Sequence, residues 1–190
     1  MRRAIFLDRD GTINEDLHYL HEAEKVILCP EAGKGLRLLA DAGYELIVIT
    51  NQSGVGRGYF PIEDVYQVNR RLDELLEEEG VHILKYYIAP ESPDEPSLGR
   101  KPLPGFVYQA RDEFELDLSR SFFIGDKRSD LETGWNAGLQ GGILVRTGKG
   151  SVEEKKYSEL RQKAYICDNL REAAEYILRE GKERERKEKK

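Results

Sequence analysis

At 190 residues the chain suits a single domain with a well-buried core, and its 39% apolar and 35% charged residues describe a heavily charged surface around it. No apolar run approaches the length of a membrane span, and Met1-Arg2-Arg3 leads directly into a strand pattern rather than a signal peptide. The net charge of −6 is uneven: residues 182–190 hold six basic and three acidic residues, so the remainder carries −9, which argues against a nucleic-acid surface.

Taken in chain order, short apolar runs alternate with helical patterns. Strands are predicted at 4–7, 46–49, 84–88, 121–124, 142–145 and 164–167, and helices at 30–42, 62–79, 104–114, 130–137 and 169–180. The second helix carries Val65, Val68, Leu72, Leu75 and Leu76 on one face, and the last carries Leu170, Ala173, Ala174 and Ile177. Such alternation predicts an α/β, three-layer Rossmann-like fold with a mainly parallel central sheet. A single domain over 1–181 is expected, followed by a charged, solvated tail at 182–190, with no segment long enough for more than a loop cap. Cys29 and Cys167 have no CxxC or disulfide pattern and read as buried small hydrophobes in a reducing cytoplasm.

Chemistry concentrates where the predicted strands end. Ile5-Phe6-Leu7 stops at Asp8-Arg9-Asp10-Gly11-Thr12, with two carboxylates at i and i+2 that a continuing strand would turn to one face. Taken alone, such a segment could equally be a solvated turn. The next strand ends in Thr50-Asn51-Gln52-Ser53-Gly54-Val55-Gly56-Arg57-Gly58, whose donors and glycines suit an anion, although it lacks the Walker pattern. Pro90 to Gly99 contains three prolines and is either a rigid connector or a substrate-facing flap. Arg100-Lys101-Pro102 precedes a helix, where the helix dipole adds to the attraction for anions. Phe122-Phe123-Ile124 ends in Gly125-Asp126-Lys127-Arg128-Ser129-Asp130, with Asp130 open to a ligand role or to a helix N-cap.

The ordered set Asp-x-Asp, Thr, Lys and Gly-Asp-x-x-x-Asp resembles the haloacid dehalogenase (HAD) superfamily of phosphohydrolases over residues 5–130. Within it, residues 6–14, Thr50-Asn51-Gln52-Ser53-Gly54, Gly125-Asp126-Lys127 and Val145-Arg146-Thr147-Gly148-Lys149 resemble the D-glycero-D-manno-heptose 1,7-bisphosphate phosphatases, with histidinol-phosphate phosphatases as close neighbours. The resemblance implies Mg2+ held by Asp8, Asp126 and the Asp10 carbonyl. It implies Asp8 as nucleophile, Asp10 as general acid and base, and Thr50 and Lys101 holding the phosphoryl oxygens. Asp16, His18, Tyr19, Asn51, Gln52, Ser53, Arg57, Arg100 and Lys127 are the expected substrate contacts. The expected partner is a small phosphorylated sugar, with neither nucleic acid nor membrane, and the chain is expected to be a monomer.

One departure from those relatives stands out. They carry a zinc in the loop before Arg-Lys-Pro, on Cys-x-His and Cys-x-Cys, where this chain reads Ala89, Glu91, Ser97 and Gly99. No tetrahedral Cys/His site can form there, so zinc is not expected. A histidinol-phosphate phosphatase is the nearest alternative, since Glu91, Asp94 and Glu95 could face an amine. A polynucleotide 3′-phosphatase shares the 50–58 segment but conflicts with the acidic body. A phosphoaspartate receiver domain places its phosphorylated Asp on a different strand from its acidic pair, whereas Asp8 and Asp10 share one.

Overall fold

The computed structural model describes residues 1–188 of the chain. Six strands form one sheet: β1 (Arg3–Leu7), β2 (Tyr44–Asn51), β3 (Lys85–Ala89), β4 (Phe122–Gly125), β5 (Gly141–Val145) and β6 (Tyr165–Cys167). Their order is β3-β2-β1-β4-β5-β6, and every pairing is parallel. β1 lies at the centre, with Ile5 in register with both Leu46 and Phe122. The order reverses between β1 and β4, and a crevice opens at that point beyond the carboxyl ends of the strands. This explains why Asp8 and Asp126, each following its strand directly, reach one place.

The alternation of β1 divides the core. Ile5 and Leu7 face the larger cluster, whose helical wall is α1 (Ala32–Asp41), α3 (Ile62–Glu78) and α8 (Leu170–Glu188). Ala4 and Phe6 face the opposite cluster with Val107 and Ala110 of α4 (Gly105–Phe114). Leu131 of α5 (Arg128–Asn136) packs with Leu144 and Leu160 nearby. Each fully buried Leu or Ile side chain contributes about 1.5–3 kcal/mol through removal from water. The three-layer fold expected from the sequence is the one observed, with a sheet that is parallel throughout its named strands.

The main differences are local. The segment opening with Ser53 forms one helical turn, α2 (Ser53–Gly56), and α6 (Gly150–Lys156) and α7 (Leu160–Lys163) bridge β5 and β6. The last helix runs to Glu188 instead of ending near residue 180, so most of the basic tail is helical, and residues 189–190 lie outside the described residues. Among the described residues no helix is long and apolar enough to cross a membrane.

Cys29 and Cys167 are both unpaired and buried. Burial pushes each thiol up to about 12, so at pH 8 roughly one molecule in ten thousand carries the reactive thiolate at either site. Iodoacetamide at pH 8 should therefore leave the native protein unlabelled and modify both cysteines once denaturant is added. Rapid stoichiometric labelling of the native chain would contradict this burial.

Candidate active site

The site begins at the end of β1. The Asp8 amide still donates to the Ile124 carbonyl, so the residue keeps its place in the sheet after the strand pattern stops. The Arg9 carbonyl then accepts from the amides of Thr12, Ile13 and Asn14, and the chain turns back tightly. Gly11 stands at φ +88°, and a Cβ there would come within 2.3 Å of Asp126 Oδ2. Gly148, at φ +54° after β5, meets the same carboxylate: its Cβ would lie 2.3 Å from Asp126 Oδ2 and 2.5 Å from Gly11 Cα. Two glycine backbones thus close around Asp126, and the Thr147 hydroxyl donates to the Gly11 carbonyl at 2.7 Å to tie the two turns together.

Lys101 enters from the loop between β3 and α4. Asn51, the last residue of β2, accepts from the Lys101 amide at 3.0 Å and donates to its carbonyl at 3.2 Å, fixing the backbone as a strand neighbour would. The buried Lys101 ammonium lies 2.6 Å from Asp8 Oδ1 and 2.6 Å from Asp130 Oδ1. Asp130, in the first turn of α5, also accepts from the Lys127 amide at 2.9 Å. The N-cap of α5 is thus Lys127 and not Asp130, which stands at the third helical position, returns its carboxylate to the N-cap amide and pairs with Lys101. Lys127 Nζ stands 3.7 Å from Asp8 Oδ2 and 3.8 Å from Asp126 Oδ1.

Electrostatics follow from this crowding. Burial alone would raise the Asp8 carboxyl, but the Lys101 and Lys127 ammonium groups outweigh it and hold the group down at about 2. Asp126 is pushed up to about 8 by burial, with the Asp8 charge adding to the effect and Lys127 opposing it. Burial also raises Asp130, against Lys101. Both lysines are shifted upward, because the surrounding carboxylates outweigh the burial that would lower them.

Asp8, Asp126 and Asp130 each offer an oxygen within 4.8 Å of the others. Asp8 Oδ2 and Asp126 Oδ1 are buried and accept no hydrogen bond, whereas Asp130 is already committed to Lys101 and the Lys127 amide. Two orphaned carboxylate oxygens side by side fit a hard divalent cation, for which oxygen donors are the preferred ligands.

Comparison with known proteins decides the family. A family model described as "HAD-hyrolase-like" matches residues 98–173. A D-glycero-D-manno-heptose-1,7-bisphosphate 7-phosphatase from Chlorobaculum tepidum is 41% identical, covering 93% of this chain and 94% of its own. The protein of the same name from Thermosynechococcus vestitus is 38% identical over 93% and 95% of the two chains. The crystal structure of the D,D-heptose 1,7-bisphosphate phosphatase from B. bronchiseptica, complexed with magnesium and phosphate, superposes with a TM-score of 0.86 at 28% identity, over 94% of this chain and 99% of that one. The chain belongs to this family of HAD phosphatases.

The residues singled out in the sequence of this phosphatase divide into two sets. Asp8, Lys101, Lys127 and Asp126 converge with Asp130, which the sequence left between two roles. Thr50 is buried and accepts from Gln52 Nε2 at 2.8 Å, which leaves its own proton to donate. The Asp10 carboxylate is not part of the three-carboxylate group: it accepts from Arg9, from Asn14 at 2.9 Å and from Gln52 at 2.8 Å, which leaves the metal role the resemblance implies to its carbonyl. Three of the expected substrate contacts lie in the inner site. Lys127 stands beside the nucleophile candidate, Asn51 clamps Lys101, and Gln52 bridges Thr50 and Asp10, because each leaves a strand end or helix start on the crevice side.

The outer set is more open. Asp16 pairs with Lys149 at 3.7 Å and accepts from the His18 amide at 3.1 Å. His18 and Tyr19 both have positive φ, and Tyr19 meets Tyr59 edge-to-face at 5.0 Å. Ser53 opens α2, Arg57 caps its end and is exposed, and the half-buried Arg100 donates to the Glu91 carbonyl at 2.9 Å. Burial lowers the Arg100 pKa and the like charge of Arg57 adds to that, against Glu91, so the two guanidinium groups share one rim.

The glycine enclosure gives a controlled expectation. A left-handed alanine costs about 1–2 kcal/mol wherever it stands, and Gly138, at φ +74° with nothing near its missing Cβ, carries that cost alone. Gly148→Ala should carry the same left-handed cost plus the clash with Asp126 and the Gly11 backbone, so it should be the less stable of the two and lose more than about tenfold in turnover by displacing Asp126. Equal turnover in the two variants, measured beside their denaturation midpoints, would show that the close approach is dispensable.

Proposed function

We propose that this phosphatase removes the C7 phosphate of D-glycero-D-manno-heptose 1,7-bisphosphate by way of an aspartyl-phosphate on Asp8, with Mg2+ as cofactor. The observation that carries the reading is the Asp8 carboxylate, buried yet held ionised between Lys101 and Lys127. An Asp8 oxygen bonds to phosphorus as the ester oxygen leaves, and that oxygen takes a proton from Asp10. Asp10 then accepts a proton from water, the hydroxide displaces Asp8, and inorganic phosphate departs. Lys101 and the Thr50 hydroxyl hold phosphoryl oxygens through both steps. Bound by Asp8, Asp126 and the Asp10 carbonyl, Mg2+ supplies the charge neutralisation that lets a carboxylate approach a phosphate dianion.

The substrate assignment is supported by the names of the full-length relatives from C. tepidum and T. vestitus and by the rim. Arg57 and Arg100 supply cations for the phosphate that is kept, and a guanidinium fork matches a phosphate in bidentate contact. Histidinol phosphate, the alternative, would want acids at that rim. Glu91 spends its carboxylate on the Ser97 hydroxyl and Glu95 on the Ser92 amide, inside the loop. The same bonds fasten the loop in which the resemblance implies zinc for relatives, and our reading includes none. It likewise places the enzyme in the cytoplasm as a monomer acting on a small sugar, without nucleic acid or membrane.

Asp8→Asn should still fold, because Lys101 keeps Asp130 as its partner, and retain less than about 10⁻⁴ of wild-type turnover. Wild-type rates from this variant, free of contaminating phosphatase, would end the covalent mechanism. Arg57→Ala should lower kcat/KM for the heptose bisphosphate by about 10- to 100-fold, the loss of one remote phosphate contact, while changing that for p-nitrophenyl phosphate by less than about threefold. Equal losses on both, or a higher kcat/KM for histidinol phosphate in the wild type, would remove the heptose assignment and leave the phosphatase standing.

A further inference from the structure

The buried stripe of α3 contains a polar residue that the apolar pattern does not explain. Val65, Val68, Leu72 and Leu76 are fully buried, and Asn69 stands among them at 6% exposure, four residues after Val65 and three before Leu72. A buried amide without a partner costs about 1–3 kcal/mol, so its bond must be accounted for. Asn69 Oδ1 accepts from Arg9 Nη1 at 2.8 Å. Arg9 is fully buried and is the largest such side chain in the described protein. Its remaining bonds run to the neighbouring carboxylate: Nη2 lies 3.0 Å from Asp10 Oδ2 and 3.2 Å from Oδ1, and Nε lies 3.3 Å from Oδ1.

A guanidinium is tolerated in such a place only when it is paired and its donors are satisfied. We propose that Asn69 is a positioning residue for the proton-transferring carboxylate: by anchoring Arg9 to α3 it holds Asp10 in one orientation. Arg9 has several rotatable bonds, and the turn that begins at its carbonyl carries Asp10 with it. Without the Asn69 acceptor, Nη1 faces the apolar stripe unsatisfied, and the fork that grips Asp10 loses its fixed end. Asn14 and Gln52 still donate to Asp10, so the carboxylate stays in the site but populates more than one orientation. The inference rests on the reading of Asp10 as the group that protonates the leaving oxygen.

Leaving-group chemistry separates this role from simple packing. A primary alkoxide needs a proton as it departs, whereas p-nitrophenolate leaves readily without one. Both the heptose bisphosphate and histidinol phosphate are primary alkyl esters, so the comparison does not depend on which is preferred. Asn69→Leu should lower kcat/KM for the alkyl ester about 10- to 100-fold and for p-nitrophenyl phosphate by less than about threefold, with Asp10→Asn showing the same bias more strongly. Equal losses of Asn69→Leu on both esters, or no loss on either, would overturn the positioning role. Should that variant fail to fold, Asn69→Asp keeps the size and draws Arg9 toward a competing carboxylate; it should show the same bias, and an equal loss overturns the proposal. If Asp10→Asn itself lost equally on both esters, the proton-transfer reading beneath the proposal would fall, which is a different result from an unbiased Asn69 variant beside a biased Asp10→Asn.

Discussion

Three carboxylates within 4.8 Å of one another, all buried, are the constraint around which this protein is arranged. Left alone they would repel and take up protons, since burial disfavours every one of the three charges. Lys101 and Lys127 supply two cations to that trio, and the answer to the repulsion is uneven. Asp8, which faces both lysines, stays ionised, while Asp126, farther from Lys101, is pushed up to about 8. One strongly ionised carboxylate beside one that readily accepts either a proton or a metal is a division of labour created by position alone. A dication held there would complete the charge balance and give the site the sign that a phosphate dianion requires.

The parallel sheet is what makes the crowding possible. β1 and β4 are neighbours at the point where strand order reverses, so their carboxyl ends deliver Asp8 and Asp126 side by side without a long loop. α5 starts immediately afterwards, and its first-turn Asp130 satisfies the Lys127 amide while holding Lys101. The turn after β5 closes the opposite side through Gly148 and through the Lys149 amide, which donates to Asp126 Oδ2 at 2.8 Å. The Asp126 and Asp130 carboxylates are therefore each held by a backbone amide, while Asp8 keeps its place through the sheet and pairs with Lys101.

Much of this was legible in the sequence because strand ends in an α/β fold are marked twice, by an apolar run and by the polar residue that stops it. Asp8, Thr50 and Asp126 could be placed at the crevice for that reason, and strand limits agree with the structure to within about two residues. Direction was harder to read. Lys127 and Gln52 are legible only as substrate contacts, because spacing says nothing of whether a side chain turns toward solvent or toward Asp8 and Asp10. α6 and α7 escaped notice because each is short and buries only one residue, Gly150 and Leu160, which leaves no periodicity. Asn69 had a signal that a purely apolar count passes over: a polar residue inside an apolar stripe implies a buried partner.

The loop after β3 shows how the same framework can change what surrounds the chemistry without changing the chemistry. Glu91 and Ser97 stand where relatives are expected to place metal ligands, and here they hydrogen-bond to each other at 3.2 Å. Ser97 Oγ further accepts from the amides of Gly99 and Arg100, and the Arg100 side chain returns to the Glu91 carbonyl. A ring of ordinary hydrogen bonds thus spans the interval that a tetrahedral metal would span, with three prolines limiting the unfolded alternatives. Lys101 follows this ring by one residue, but its own backbone is gripped separately by Asn51 on β2. Lys101 is therefore insulated from the loop. Rim residues such as Arg100 can be re-aimed by changes in the loop, while the distance from Lys101 to Asp8 remains the property of the sheet.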